Sequence, residues 1–401
     1  MRTGRQNITG RALIISIVIL LTAGCARKEI AAPDLSHAID SIGIVWVPDL
    51  REGIFEAELT SSESGFVLKG ETTVPEAKKA ITDILENKGV AFHDSLTVLP
   101  EAGLEATPWG LVTVSVCNIR FTSSYDAEMV SQAVMGTPVK IFRQKGGWLL
   151  VQTPDMYLGW VDSDAIAVKS IEEHRLWKSS ERLLYSDKTG DIYSDGSMKK
   201  LVSDIVAGCI IEIAGTGNKG FDVRLPDGRR GFILAGRAVS LEKLSAEELL
   251  TPENLVSSAE SFMGIPYLWG GTSSKGFDCS GFVKTVYYLN GVILDRDASQ
   301  QFQNGIRIRA RRESFPDSLQ TGDLMFFGSS RRGRPTATHV GMYIGNGEFI
   351  HCSGMVKVNS LDSTRANFSR SRRDSYLGAR RIIGAPAGKG TLQVTEHEWY
   401  F

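Results

Sequence analysis

The spacing of hydrophobic positions changes several times along the chain, and each change marks a candidate unit. In PEAKKAITDILENKG, residues 75–89, Ala77, Ala80, Ile81, Ile84 and Leu85 recur at helical spacing and share a face, with Gly89 suited to the helix end. From residue 111 the period drops to two. LVTVSVCNIR places Val112, Val114 and Val116 on one strand face, and TPVKIF, GWLLVQT and YLGWVD follow closely. Residues 181–242 repeat the plan: CIIEIAG reads as a strand and FDVRLPDGRRGFIL as a hairpin around Pro226-Asp227-Gly228. YLGWVDSDAIAV and RRGFILAGRAVSL read as one closing element in two copies. Short strands with glycine-containing turns predict two small all-β barrels. Near Thr251 the pattern turns helical again. Thr251 suits an N-cap, Pro252 the first turn, and Leu255, Val256, Ala259 and Phe262 the inward face. A loop GIPYLWGGTSSKG, a helix from Cys279, a strand GDLMFFG and a hairpin THVGMYIGNGEFIHCSG complete an α+β plan.

The hairpin register decides where its two histidines point. A two-residue loop Asn346-Gly347 would set Met342 opposite His351 and send His339 and His351 to opposite faces. A three-residue loop Gly345-Asn346-Gly347 sets Gly341 opposite His351 instead. The imidazoles then form a diagonal pair, about 7–8 Å apart at the backbone. Glycine closing a three-residue loop is favoured, so this register is expected. It gathers Val340, Met342, Ile344, Ile350 and Cys352 on the other face as a core strip, which marks Cys352 as a packing residue.

Composition narrows the classes. The 401 residues are 42% hydrophobic, enough for several cores, and 45 Lys+Arg balance 46 Asp+Glu. Neither a basic stripe for nucleic acid nor an acidic disordered tail is present. The first residues read as targeting. Arg2, Arg5 and Arg11 precede ALIISIVILL at 12–21, about half the ~20 apolar residues of a spanning helix. LTAGC at 21–25 resembles a bacterial lipobox. That resemblance implies cleavage before Cys25, lipidation of its thiol and anchoring to a membrane through acyl chains. Cys117, Cys209, Cys279 and Cys352 remain, with no CxxC pair and no disulfide framework.

Candidate chemistry centres on GFDCSGF, residues 276–282. Phe282, Val283, Val286, Tyr287 and Leu289 form the apolar stripe of a helix that Asn290-Gly291 ends, so Cys279 stands at its N-terminus. Free N–H groups and the helix dipole there are expected to depress its thiol pKa. One imidazole of the hairpin can take the thiol proton and the other can orient the first. A Cys-His-His metal site is the alternative by residue type, although its spacing matches no common zinc signature.

YLWGGTSSKGFDCSGFV, GDLMFF and HVGMYIGNGEFIH together closely resemble the NlpC-type (NlpC/P60) cell-wall cysteine peptidases, which have a papain-like fold. The two barrels resemble bacterial SH3-like domains. The resemblance implies Cys279 as nucleophile, His339 as base, His351 as its orienting partner and Tyr267 as an oxyanion donor beside the Cys279 N–H. Asp278 and Ser280 flank the nucleophile as in the family, and Trp269 of the same loop joins them as a substrate-binding candidate. The order of units is similar to that of γ-D-glutamyl-L-diamino acid endopeptidases (dipeptidyl-peptidase VI), which cut murein stem peptides and favour a free N-terminal L-Ala. By that likeness Glu128 in YDAEMVSQ, Tyr157 in DMYLGWV and Asp297 in LDRDASQQ are candidates for gripping the amine.

The expected organisation is a signal peptide at 1–25, a partly helical region at 26–110 and SH3-like domains at 111–170 and 181–245. A catalytic domain at 250–385 and a tail at 386–401 follow. The expected function is hydrolysis of the γ-D-Glu–diamino acid bond, with no metal or cofactor and with murein peptides or peptidoglycan as partner. The expected location is the periplasmic side of the outer membrane. An amidase or acyltransferase with the same triad, or a silent wall-binding protein, are the alternatives.

Overall fold

The computed structural model describes residues 32–63, 65–309 and 317–401. The expected signal peptide and Cys25 lie outside the described residues. Among the described residues no helix is long and apolar enough to cross a membrane.

Residues 32–98, within the region read as partly helical, form a layered αβ unit. It runs α1 (Ala32–Trp46), β1 (Phe55–Ser62), β2 (Gly65–Thr72), α2 (Pro75–Asn87) and β3 (Phe92–Val98), with sheet order β1-β2-β3. The face read for α2 is the buried one: Ala77, Ile81 and Leu85 pack with Leu35, Ile39, Leu68 and Leu96. Between β1 and α1, the segment Asp49-Leu50-Arg51-Glu52 reaches toward the other units.

The first barrel holds β4 (Trp109–Val112), β5 (Val116–Arg120), β6 (Met129–Val134), β7 (Pro138–Lys145), β8 (Trp148–Gln152), β9 (Leu158–Asp162) and β10 (Ile166–Lys169). Its order is β10-β4-β7-β8-β9-β5-β6. The single strand expected through 112–116 is two strands. β4 pairs with β7 and β10, whereas β5 pairs with β6 and β9. Val112 is buried, but Val114 lies in the crossing between the two strands and is exposed. Period-two patterning continues across such a crossing without marking it.

A short helix α3 (Ile171–Lys178), opened by a Ser170/Glu173 capping box, leads to the second barrel. This holds β11 (Arg182–Tyr185), β12 (Thr189–Tyr193), β13 (Leu201–Val206), β14 (Ile210–Gly217), β15 (Gly220–Arg224), β16 (Arg230–Leu234) and β17 (Ala238–Ser240). Its order, β13-β12-β16-β15-β14-β11-β17, is the first barrel's order with every strand advanced by seven and read backwards. The repeated closing sequence falls on β9 and β10 in one barrel and on β16 and β17 in the other.

The last unit begins with α4 (Ala246–Leu249) and α5 (Pro252–Ser261), the latter capped by the Thr251 hydroxyl. It continues through β18 (Thr272–Ser273), β19 (Gly276–Phe277), α6 (Cys279–Leu289), β20 (Val292–Ile293), α7 (Ala298–Gln301) and β21 (Ile306–Ile308). Then come β22 (Leu324–Arg331), β23 (Arg334–Gly345), β24 (Glu348–Ser353), β25 (Met355–Ser360), α8 (Arg370–Asp374) and β26 (Tyr376–Arg381). An antiparallel sheet in the order β21-β26-β22-β23-β24-β25 packs on α6. Phe282, Val283, Val286 and Tyr287 of the helix meet Phe326, Val340, Met342, Ile350 and Cys352 of the sheet. Of the inward face read for α5, Leu255, Ala259 and Phe262 are buried, and Val256 is half-buried.

The β23–β24 turn has the expected register but not the expected loop. Asn346 and Gly347, with φ of 51° and 76°, make a two-residue loop that pairs Gly345 with Glu348. An irregularity between Tyr343 and Gly345 absorbs one residue, so Met342 pairs with Ile350. His339 and His351 therefore share a face, and Cys352 packs in the core against the Phe277 carbonyl, Sγ to O 3.1 Å.

The segment set apart as a tail packs between units. Val394, Trp399 and Tyr400 are buried, the Arg182 guanidinium donates to the Tyr400 carbonyl at 2.7 Å, and His174 bonds the Trp399 carbonyl at 3.1 Å. The first barrel docks directly on the catalytic unit. Gln132 Oε1 accepts from Thr272 N and Ser273 Oγ, both at 3.0 Å. Contact is close enough to require glycine: a Cβ on Gly270, at φ 77°, would lie 2.4 Å from the Met129 carbonyl oxygen.

Candidate active site

Cys279 is the first residue of α6. Asp278 caps that helix, with Oδ1 accepting from Gly281 N at 2.7 Å, and Oδ2 accepts from Gly270 N at 3.1 Å. The sequence reading missed what holds Asp278. The fully buried Arg296 pairs with both its oxygens, donates to Ser280 Oγ at 3.1 Å and reaches Ser131 Oγ of the first barrel at 3.1 Å. A buried carboxylate without such a cation would carry a large desolvation cost. The polar side-chain atoms of Asp278 and Ser280 are thus committed to the turn, while both residues border the cleft.

Opposite the helix end, His339 Nε2 lies 2.7 Å from His351 Nδ1, and His351 Nε2 lies 2.9 Å from Asn359 Oδ1. Asn359 Nδ2 donates to the Asn367 carbonyl at 2.8 Å, which aims its oxygen at His351. The tautomers follow from these partners. His351 carries its proton on Nε2, so its Nδ1 accepts from His339 Nε2–H, and His339 Nδ1 is left as the base. Asn359 was missed, though a signal exists. Val356 and Val358 alternate inward on β25, so Asn359 falls on the face of His351, one strand over. Each imidazole nitrogen between the histidines is engaged by the other ring, which leaves that pair no shared face for a metal ion.

Burial sets the protonation states. The thiol of Cys279, 7% exposed, is pushed up to about 11 by desolvation and then by the Asp278 charge. The N–H groups of Val340 and Ser280 act the other way without overcoming it. The depressed thiol expected from the helix end is therefore corrected: desolvation outweighs the dipole. His339 is held well below 6.5 by burial, then by Arg372 and His351, and burial lowers His351 to about 4. The resting site is a neutral thiol beside a neutral imidazole pair.

A cleft of about 300 Å³ opens in front of Cys279. Tyr267 and Trp269 border it from the catalytic unit and Glu128 and Tyr157 from the first barrel. Trp269 Nε1 donates to Glu128 Oε1 at 2.7 Å, and Tyr157 OH donates to Asp297 Oδ2 at 3.3 Å. All the candidates named from the sequence within the described residues are thus gathered around one cleft or its catalytic wall. Arg51, from the N-terminal unit, also lines it, and nothing in its local sequence pattern announced it.

A thiol at a helix end, with an imidazole base held in place by a second imidazole, makes the site that of a cysteine peptidase. The NlpC/P60 family model matches residues 264–375, and a model described as the bacterial dipeptidyl-peptidase SH3 domain matches 119–166. The chain thus carries an NlpC/P60 domain preceded by an SH3 domain of the bacterial dipeptidyl-peptidase type. Among similar proteins is a γ-D-glutamyl-L-lysine dipeptidyl-peptidase of Bacillus cereus, 29% identical over 64% of this chain and 76% of that one. Another is a dipeptidyl-peptidase 6 of Lysinibacillus sphaericus, 29% identical over 63% of this chain and 91% of that one. A solved NlpC/P60 family protein from Bacillus cereus shares the fold with a TM-score of 0.60, at 22% identity over 68% of this chain and 99% of that one.

Proposed function

We propose that this enzyme hydrolyses murein stem peptides at the bond between γ-D-Glu and the diamino acid, and that it favours peptides with a free N-terminal L-Ala. One observation carries the reading: Glu128, Tyr157 and Asp297 line the same cleft as Cys279. Two carboxylates and a phenol lining one cleft suit an ammonium group. The dipeptidyl-peptidase names of the relatives support it, since release of a dipeptide requires counting from the amine.

The groups have distinct roles in this reaction. Cys279 Sγ attacks the γ-carbonyl carbon as its proton passes to His339 Nδ1, so the buried thiol ionises only during the reaction. The developing oxyanion accepts from the Cys279 N–H and the Tyr267 hydroxyl. His351, fixed by Asn359, holds the His339 ring and shares the imidazolium charge. The C–N bond breaks as His339 returns the proton to the leaving amine. Water, deprotonated by His339, then splits the thioester and restores the thiol. Tyr267 also serves as a neutral donor across the working pH range, because burial and the neighbouring thiol push its phenol up to about 12.

Mass spectrometry of products from L-Ala-γ-D-Glu-diamino acid peptides tests the reading. The expected products are L-Ala-D-Glu and a peptide beginning with the diamino acid. Acetylation of L-Ala removes a charge-assisted contact worth about 1.5–3 kcal/mol, so kcat/KM should fall at least about tenfold. Cleavage at another bond, or equal rates for free and acetylated peptide, would refute it.

The proposed location is a membrane surface facing the periplasm, reached through lipidation at Cys25 after signal-peptide removal. The motif LTAGC supports this. Fatty-acid labelling that persists in Cys25→Ser would sink it.

A further inference from the structure

Asp297 does not wait in the cleft with a free carboxylate. Its Oδ2 accepts from Arg51 Nη1 at 2.8 Å and from Tyr157 OH at 3.3 Å, so both lone pairs of that oxygen are engaged. Arg51 comes from the N-terminal unit, 246 residues earlier in the chain. Its guanidinium also donates to Ser299 Oγ at 2.9 Å, beside the first turn of α7. A cation thus already engages one of the carboxylates that the proposed function assigns to the ammonium of the substrate.

Two features distinguish this pair from a structural ion pair such as Arg296–Asp278. First, it is wet. The side chains of Arg51 and Asp297 are 38% and 31% exposed, against 1% and 10% for Arg296 and Asp278. Pairs with this exposure are weak and exchange readily. Second, Arg51 has somewhere to go. Its Nε and Nη2 bond Asp49 Oδ1 and Oδ2 at 2.8 and 2.6 Å, so it keeps a counter-charge when Nη1 leaves Asp297.

The segment that carries Arg51 is meanwhile pinned at its backbone. Leu158 N, next to Tyr157, donates to the Arg51 carbonyl at 2.8 Å, and Gln152 Nε2 donates to the Glu52 carbonyl at 2.7 Å. Gln300 Nε2 bonds both Asp49 Oδ2 and Glu52 Oε1. The side chain can swing while its unit stays docked.

We propose that Arg51 is a specificity-determining residue supplied by the N-terminal unit. Its guanidinium occupies the Asp297 carboxylate in the free enzyme, and only a ligand that brings its own ammonium displaces it. The inference rests on the reading of Asp297 as an amine partner. It gives the N-terminal unit a part in substrate choice that neither barrel supplies.

The test is steady-state kinetics on the free-amine L-Ala-γ-D-Glu-diamino acid peptide with wild type, Arg51→Ala, Arg51→Lys and Asp49→Ala. Thermal melts confirm that each variant is folded. Binding of L-Ala-D-Glu to the same proteins is followed by calorimetry. Removing the competing cation should lower KM and the product dissociation constant about three- to tenfold in Arg51→Ala. Asp49→Ala releases Arg51 from its other partner, so both constants should rise. Arg51→Lys keeps a cation but loses the planar fork, and should fall between wild type and Arg51→Ala. Opposite shifts from two neighbouring residues are not what general loosening of the segment produces.

If Arg51→Ala raises KM or leaves it unchanged while wild type still prefers the free amine, this inference fails and the proposed function stands. If wild type shows no preference for the free amine and binds no L-Ala-D-Glu, both fall together.

Discussion

Cys279→Ala is expected to lose essentially all turnover while keeping the fold. Removing a covalent nucleophile costs on the order of 10⁶ in kcat, because the remaining contacts only position the substrate. The cap and its ion pair use Asp278 and Arg296 and owe nothing to the sulfur, so α6 should form normally. His339→Ala should cost about 10²–10⁴, the usual share of a general base. Cys352→Ala provides the contrast. Its side chain is fully buried on the core face, with the sulfur against the Phe277 carbonyl. That variant should lose about 1 kcal/mol or more of stability and keep its activity. Peptide hydrolysis and urea denaturation on the three proteins give the result. Comparable losses of activity from Cys279→Ala and Cys352→Ala, with both folded, would overturn the assignment.

Stability should fall steeply on mild acidification. His351 and His174 are both lowered from 6.5 to about 4, in each case chiefly by burial. His339 and His397 shift in the same direction for the same first cause. The folded state keeps these rings neutral, whereas the unfolded chain protonates them near 6.5. Stability from this source is therefore complete above about pH 6.5 and is lost as pH falls toward 4. Each such histidine contributes a slope of ~1.4 kcal/mol per pH unit within that window. Asp295, raised to about 6 by burial, acts in the opposite sense. It is one group against four. Urea midpoints at pH 7, 6 and 5 should decrease in that order, and His174→Gln should flatten the trend without touching the active site. A midpoint that does not move between pH 7 and 5 would contradict the buried neutral state.

The catalytic wall was legible because it is local. The stripe on α6 fixed where Cys279 stands, and the alternation on β23 and β24 fixed which face the histidines share. The turn itself was misread, yet the face was right, because the core strip from Val340 to Cys352 tolerates only one register. What escaped detection depends on distant partners. Arg296 looks like one more charge until Asp278 and Ser131 close around it. Arg51 sits in a stretch with no periodicity, and its meaning comes from Asp297 and Tyr157 on two other units. The thiol pKa was misjudged for the same reason. A helix end can be read from neighbours in sequence, but desolvation depends on everything that packs above it.

The packing of residues 394–401 has a consequence for the order of events during synthesis. Trp109 stacks on His174 and meets Trp399 edge-on, with ring centroids 4.1 and 5.1 Å away, and His174 bonds a carbonyl 225 positions later. At ~5–20 residues per second, the ribosome makes α3 and the first barrel roughly 10–45 s before their covering strip emerges. Through that interval Trp109 lacks the edge-on Trp399 ring and His174 lacks the Trp399 carbonyl, so the aromatic surface they form is left uncovered. A nascent chain halted in this window should carry a binding site for chaperones that the finished enzyme lacks.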